Sequence, residues 1–326
     1  MQSNIVSSKS PNTRIAYIDV AKSICIFLMI VGHWTEKEFL LAYIYSFHMP
    51  ALFTISGFLY KPRLWYKTII SLGVPVIFYS FINLAILLMT GQILIEDVMT
   101  KATVFRFFHY RYGMDTGTLF CGDWFIWTLL ALRFFYGDFI VNIGHFFRRY
   151  YIIIATIMVV YVSLEMYYLK TDNIFHGWLI WKMVPCMPFF CFGFYIKEKG
   201  LDLSKLSLNF IVSLMLLSIA IPIINGRCGI LETQYGSSYI LFSFNAMLAT
   251  LLLLSLSTLI PGFRFFTIIS KGTLFILGLH MPIMDLLDYI CPDYMAFFIP
   301  IIVLLICYYP IALLDRWCPI LLGKLK

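Results

Sequence analysis

The chain has 326 residues, of which 61% are hydrophobic and only 13% are charged, and its mean hydropathy is +0.87. Soluble globular proteins carry about 25% charged residues, so this composition excludes an ordinary soluble enzyme and indicates a protein embedded in a lipid bilayer. The formal net charge of +7 therefore bears on membrane topology and does not indicate nucleic-acid binding.

Apolar runs of about 20 residues recur along the chain, and each is long enough for a helix to cross the hydrocarbon core. Continuous runs favour helices over a transmembrane barrel, whose strands would show short alternating segments. The sequence therefore predicts an all-α polytopic membrane protein with about ten transmembrane helices in a single bundle. The predicted spans are 16–34, 39–60, 68–90, 124–143, 150–168, 174–196, 206–225, 239–260, 271–290 and 295–314.

The polar segments between the spans predict the orientation of the chain. Lys and Arg are concentrated on the side of the N-terminal tail, and cytoplasmic segments are the ones enriched in these residues. An even number of spans then places both termini in the cytoplasm. We expect one membrane domain over 1–326, with a short cytoplasmic tail at 1–13 and an external loop at 91–123.

The first span carries three polar residues that an apolar helix would not need for spanning: Asp19, Lys22 and His33. Ionisable residues within a membrane are costly and by default indicate a functional site. Lys22 and His33 are eleven residues apart, which is about 16 Å along one helix face. Asp19 precedes Lys22 by three residues and can pair with its ammonium. The alternative is that Lys22 and His33 extend to the two interfaces.

The second span carries His48 near its middle, followed by Pro50. A proline frees a backbone carbonyl and kinks a helix, which opens space for a ligand. The short connection at 35–38 makes these two spans antiparallel neighbours, so His33 and His48 can face one cavity. Imidazole pairs suit proton transfer at neutral pH. Two buried, hydrogen-bonded histidines without a catalytic role would give the same pattern.

The eight cysteines show neither a CxxC pair nor a Cys/His spacing typical of metal sites, so we expect no metal. The further ionisable residues within predicted spans include Arg133, Lys182 and His280. Each of the first two can belong either to a structural ion pair or to a ligand route. His280 lies in a Leu-His-Met-Pro sequence that repeats the His-Met-Pro of the second span, and it can line a cavity.

Residues 14–59 resemble the opening of the membrane acyltransferase-3 family, in particular its fucose 4-O-acetylase-like and polysaccharide O-acetyltransferase branch. The similar features are a basic residue ten positions ahead of a Gly-His pair, then FHMP, then SGFL. Weaker similarities extend over nearly the whole chain: Pro75 after a basic segment, Trp124-Phe125, Pro188-Phe189-Phe190 with Gly193, and Leu279-His280-Met281-Pro282. The chain departs from many members by having Lys22 where they carry Arg, which loses the bidentate fork.

The resemblance implies transfer of an acetyl or other acyl group from cytoplasmic acyl-CoA to a hydroxyl of a cell-surface glycan or lipid-linked sugar. It also implies a multi-pass location in a bacterial inner membrane. His33 would be a general base or an acyl carrier, and His48 would orient it or bind the thioester oxygen. The predicted catalytic residues are His33, His48 and Asp19, and the residues predicted to bind acetyl-CoA are Lys22, Arg14, Arg63 and Lys67.

Two other functions have to be weighed against an acyltransferase. A transporter or flippase for a small or lipid-linked substrate would also need buried His and Lys residues, but transporters often show inverted repeats, and this sequence shows none. A sensor or assembly protein would not need an intramembrane histidine pair. The expected partners are therefore acyl-CoA, a saccharide acceptor and membrane lipids, with no nucleic acid.

Overall fold

A computed structural model describes residues 15–91, 124–134, 141–168 and 179–325. These residues are almost entirely helical, which confirms the predicted all-α class. Within them, eight helices are long and apolar enough to cross a membrane. Many large apolar side chains on these helices are exposed, as expected for surfaces that face lipid rather than water.

The α-helices are, in chain order, α1 (Ala16–Trp34), α2 (Glu38–Tyr45), α3 (His48–Phe58), α4 (Trp65–Met89), α5 (Trp124–Arg133), α6 (Val141–Arg149), α7 (Tyr151–Tyr168), α8 (Met183–Glu198), α9 (Leu208–Asn225), α10 (Tyr239–Thr258), α11 (Arg264–Lys271), α12 (Thr273–Ile290) and α13 (Ile299–Trp317). Short 3₁₀ helices occupy Leu179–Lys182, Leu203–Lys205, Asp293–Phe298 and Pro319–Leu322. Two short strands, β1 (Cys228–Gly229) and β2 (Gln234–Tyr235), pair as an antiparallel hairpin between α9 and α10.

Eight of the ten predicted spans coincide with the eight membrane-length helices, counting α2 and α3 as one span. The remaining two, 124–143 and 174–196, appear as the shorter helices α5 and α8, and their neighbouring segments 135–140 and 169–178 lie outside the described residues. The tail 1–13 lies there too, as does nearly all of the external loop. The separate amphipathic helix α11 was not predicted, because its apolar residues are few and its ends are basic.

Helix α1 lies at the centre of the bundle and packs against α2, α3, α10, α11, α12 and α13. Helices α3 and α8 also pack closely, and their backbones come into direct contact at two glycines. An ideal Cβ on Gly57 would lie 2.0 Å from the Phe190 carbonyl oxygen, and one on Gly193 would lie 1.8 Å from that of Thr54. Such approach between helices requires glycine, so the SGFL motif and Gly193 serve packing.

The second span is broken where the sequence predicts a kink. Helix α2 ends at Tyr45 and α3 begins at His48, with Ser46 and Phe47 between them. Pro50 explains the break, because it has no backbone N–H to donate to the carbonyl oxygen of Ser46, four residues earlier. Its ring also clashes with that carbonyl group. Ser46 is held at the break by its bond to the Tyr43 carbonyl oxygen, at 2.7 Å. The break places His48 at a helix start.

Candidate active site

Three imidazole rings lie close together near one end of α1. The ring of His33, in the last turn of α1, has its centroid 5.2 Å from that of His280 on α12. Tyr45 connects this pair to His48: its ring centroid lies 5.2 Å from that of His48 and 6.2 Å from that of His33. The Tyr45 hydroxyl is 3.4 Å from Nδ1 of His33, a long contact.

Backbone carbonyls determine which nitrogen carries the proton in two of these rings. Nδ1 of His48 is 2.7 Å from the Ile44 oxygen, and Nδ1 of His280 is 2.8 Å from the Ile276 oxygen. A carbonyl can only accept, so each Nδ1 must donate an N–H. In a neutral ring, Nε2 then carries a lone pair. Nε2 of His280 is buried and has no hydrogen-bond partner among the described residues.

The three histidines differ in exposure. His48 is 2% exposed and His280 is 1% exposed, whereas His33 is exposed. A substrate can therefore reach His33 directly, and the other two rings lie behind it. An exposed imidazole beside a buried lone pair can hold a proton and share it, which is the arrangement needed for general acid–base chemistry.

The other end of α1 holds its charged groups in a closed network. Nζ of Lys22 donates to the Ser270 carbonyl oxygen at 2.9 Å, and the Ser270 hydroxyl donates to Oδ1 of Asp19 at 2.7 Å. The Ser23 hydroxyl also donates to the Phe266 oxygen at 3.0 Å. The Lys22 ammonium is therefore oriented by a carbonyl oxygen in the last turn of α11, and the C-terminal end of a helix favours a cation.

A basic cluster surrounds the end of α3 and the start of α4. Arg63 donates to the hydroxyls of Thr68 and Ser71 at 2.8 and 2.6 Å. Nζ of Lys197 donates to the Tyr60 oxygen at 2.7 Å. Lys67 is exposed in the first turn of α4. This part of the chain therefore presents positive charge around the end of the bundle where α3 finishes.

Arg133, which is predicted to lie within a span, contacts this basic cluster. It donates to the Lys61 oxygen at 3.2 Å, and its guanidinium carbon lies 5.0 Å from the centre of the Tyr60 ring. Its side chain therefore reaches the segment that follows α3. The cation–π contact gives this arginine a structural role at the least.

A family model described as an acyltransferase domain matches residues 15–314. That range covers nearly the whole chain. The chain belongs to the acyltransferase-3 family. This confirms the family predicted from residues 14–59, whereas the fucose 4-O-acetylase-like branch stays a prediction. With the eight apolar helices, family membership makes the protein a multi-pass membrane acyltransferase. Neither the curated proteins nor the solved structures compared with it gives a match.

The structure places the predicted site residues at the two opposite ends of α1. His33 and His48 are brought together through Tyr45. Asp19 is not brought to them, since it lies fourteen residues before His33, or about 21 Å along the helix. Lys22 lies with Asp19, and Arg14 lies outside the described residues.

Two residues of the site had little or no sequence signal. His280 was marked by the Leu-His-Met-Pro motif, but its contact with His33 was not predicted. Tyr45 was not singled out, because it is one of 21 tyrosines. Within the described residues, no group of three or more His, Cys, Asp or Glu side chains is placed to hold a metal ion.

Proposed function

We propose that this acyltransferase moves an acetyl group from cytoplasmic acetyl-CoA to a hydroxyl of a cell-surface glycan or lipid-linked sugar. The observation that carries the proposal is the exposed imidazole of His33 beside the buried, unpartnered Nε2 of His280. Family membership supports acyl transfer. That the acyl group is acetyl and that the acceptor is a sugar hydroxyl are proposals, which a radiolabel transfer experiment can test.

In the proposed reaction, His33 removes the proton from the acceptor hydroxyl. The hydroxyl oxygen then forms a bond to the thioester carbonyl carbon, the carbon–sulfur bond breaks, and the proton on His33 passes to the departing thiolate. A centroid distance of 5.2 Å allows an N–H of protonated His33 to reach the lone pair of His280. His280 would thereby stabilise the imidazolium without taking its proton. His48 and Tyr45 would orient His33.

The basic end of the bundle fits the donor. Acetyl-CoA carries phosphates, and Lys22 offers a cation whose orientation is held by the Ser270 carbonyl oxygen. Lys67 is exposed in the first turn of α4 and Arg63 is bound to Thr68 and Ser71 of the same helix, so both can add attraction at the entrance. Arg14 stays a predicted contributor. The distance of about 16 Å from Lys22 to His33 along α1 is then the path of the thioester arm.

The test is transfer of radiolabelled acetyl from acetyl-CoA by membranes that contain the full chain, with label measured in the saccharide fraction. We expect His33→Ala to reduce incorporation by at least about 1,000-fold. His145→Ala is the matched control, because His145 is exposed on α6, away from the site. Mass spectrometry of the glycan should show the lost acetyl group. Unchanged incorporation in His33→Ala would refute the mechanism.

The proposed location is the bacterial inner membrane, with the basic end in the cytoplasm and the hairpin outside. Lys67→Cys and Gln234→Cys place a thiol on an exposed residue at each end. In intact cells, an impermeant maleimide should label Gln234→Cys and spare Lys67→Cys. Both variants also carry Cys121→Ser and Cys291→Ser, because Cys121 lies in the predicted external loop and Cys291 is partly exposed. The native Cys228 should not interfere, because burial raises the pKa of its thiol to about 12. The opposite labelling pattern would overturn the orientation.

A further inference from the structure

A short hairpin lies over the histidine end of the bundle. It is tied at its base by the buried Asn225, whose Nδ2 donates to the Tyr235 oxygen at 2.9 Å and whose Oδ1 accepts from the Ser238 N–H at 2.9 Å. Arg227 forms an exposed ion pair with Glu38 at 3.7 Å, which links the hairpin to the start of α2. The hairpin is therefore fixed above the helix that carries Tyr45.

The carboxylate of Glu232 is turned inward under this hairpin. It lies over the backbone of Gly229, where an ideal Cβ would be 2.2 Å from Oε2. Oε2 is buried and has no hydrogen-bond donor within the described part of the chain. Any side chain at position 229 would displace this carboxylate, so the glycine is what lets Glu232 fold back.

Lys182 faces the same region from the other side. It ends the 3₁₀ helix before α8 and is only 2% exposed. The Tyr239 hydroxyl donates to the oxygen of Pro185, three residues after Lys182, at 2.7 Å, and the ring centroid of Tyr239 lies 4.9 Å from that of Tyr235 in the hairpin. Across residues 15–91, 124–134, 141–168 and 179–325, however, no ion pair within 4.0 Å joins Lys182 to Glu232. A buried ammonium and a buried carboxylate oxygen thus lie at the same end of the bundle without forming an ion pair.

A buried carboxylate oxygen without a donor is costly, and a buried ammonium is too. A hydroxyl group satisfies both, because it donates to a carboxylate and accepts from an ammonium. The hairpin that carries Glu232 is linked to α2 by the ion pair of Arg227 with Glu38, and Tyr45 at the end of α2 contacts His33. Glu232 and Lys182 therefore lie at the same end of the bundle as the proposed reaction centre.

We propose that Glu232 and Lys182 form the acceptor subsite, where they bind a sugar hydroxyl neighbouring the one that is acetylated. This assignment rests on the proposed function. Glu232 accepts from that hydroxyl and Lys182 donates to it. The subsite thereby selects polyhydroxylated acceptors over water and simple alcohols, since neither of these offers a second hydroxyl at the required distance.

The experiment compares acceptor use with donor binding in the same full-length variants. Membranes carrying Glu232→Gln or Lys182→Met receive radiolabelled acetyl-CoA, and label is measured in the endogenous saccharide fraction. The dissociation constant of acetyl-CoA is measured on the purified proteins. We expect incorporation to fall at least about tenfold, with the dissociation constant changed by no more than about twofold. Glu36→Gln and Lys37→Met remove exposed charges near the same end and should leave both values unchanged.

The outcomes separate the subsite from the proposed function. Incorporation within about twofold of wild type in both variants would overturn the subsite alone. A parallel loss of incorporation and acetyl-CoA binding would show a merely structural pair and would overturn it too. Absence of label from the saccharide fraction with the wild-type protein would instead overturn the proposed function itself, and the subsite with it.

Discussion

At one end of α1, Lys22 and Asp19 are both bound to Ser270. At the other end, His33 and His280 face each other, and Nε2 of His280 has no partner in the described structure. Both ends place polar groups in an apolar bundle, but only the first satisfies them internally. An unsatisfied buried acceptor costs about 1–3 kcal/mol, and such costs are typical of functional sites.

The difference indicates separate roles for the two ends. A charged side chain that is held by a serine and a helix end keeps one orientation, which suits repeated binding of a charged donor. An imidazole with a free lone pair can accept a hydrogen bond from protonated His33, which suits proton transfer by His33. Variants at each end should therefore change different measured quantities, and a variant in the packing that both ends share should change all of them.

The largest effect is expected from Gly193→Ala, which should disturb the donor end and the histidine end of α1 together. The new Cβ would lie 1.8 Å from the Thr54 oxygen and would push α3 from α8. We expect a loss of about 3 kcal/mol in stability, seen as a lower melting temperature in detergent and less protein in the membrane. Gly73→Ala is the control, because its Cβ would meet only the Ile69 side chain, at 3.9 Å.

Next in size is His280→Phe, which tests the histidine end alone. Loss of the lone pair should lower kcat by about 100-fold, with the acetyl-CoA dissociation constant unchanged. His280→Gln keeps an acceptor oxygen and should recover part of the activity. If His280→Phe keeps its kcat while only its melting temperature falls, His280 serves packing and the proposed support of His33 is wrong.

Lys22→Met tests the basic end alone and should have a smaller effect. Removing a charge-assisted contact to the donor should weaken acetyl-CoA binding by about tenfold, with kcat at saturating donor little changed. Lys199→Met removes an exposed charge after α8 and serves as control. A normal dissociation constant in Lys22→Met would argue against a donor site at this end.

The smallest effect is expected from Tyr45→Phe. Its hydroxyl is 3.4 Å from Nδ1 of His33, which is too long for a strong hydrogen bond, so kcat should fall by no more than about threefold. The ring, which lies between His33 and His48, is kept. A fall as large as that of His280→Phe would mean that the hydroxyl, and not only the ring, takes part in the reaction.

Much of the site was predictable from local sequence. His33, His48 and Pro50 stand out because polar residues and a proline are unusual in apolar runs, and the helix break at Ser46–Phe47 follows from proline geometry. The contact of His280 with His33 was not predictable, because the two residues are separated by most of the chain. Asp19 was assigned to catalysis with the histidines, but the pitch of α1 places it at the opposite end.

Hydropathy alone determined that this is an α-helical membrane protein, because the length and apolarity of a span are local properties. It also marked the histidines of the first two spans. The tertiary structure decided what those residues face: Ser270 beside Lys22, His280 beside His33, and the inward turn of Glu232 over Gly229. These contacts depend on how closely the helices and the hairpin approach one another, and that approach is set by packing between residues far apart in the chain.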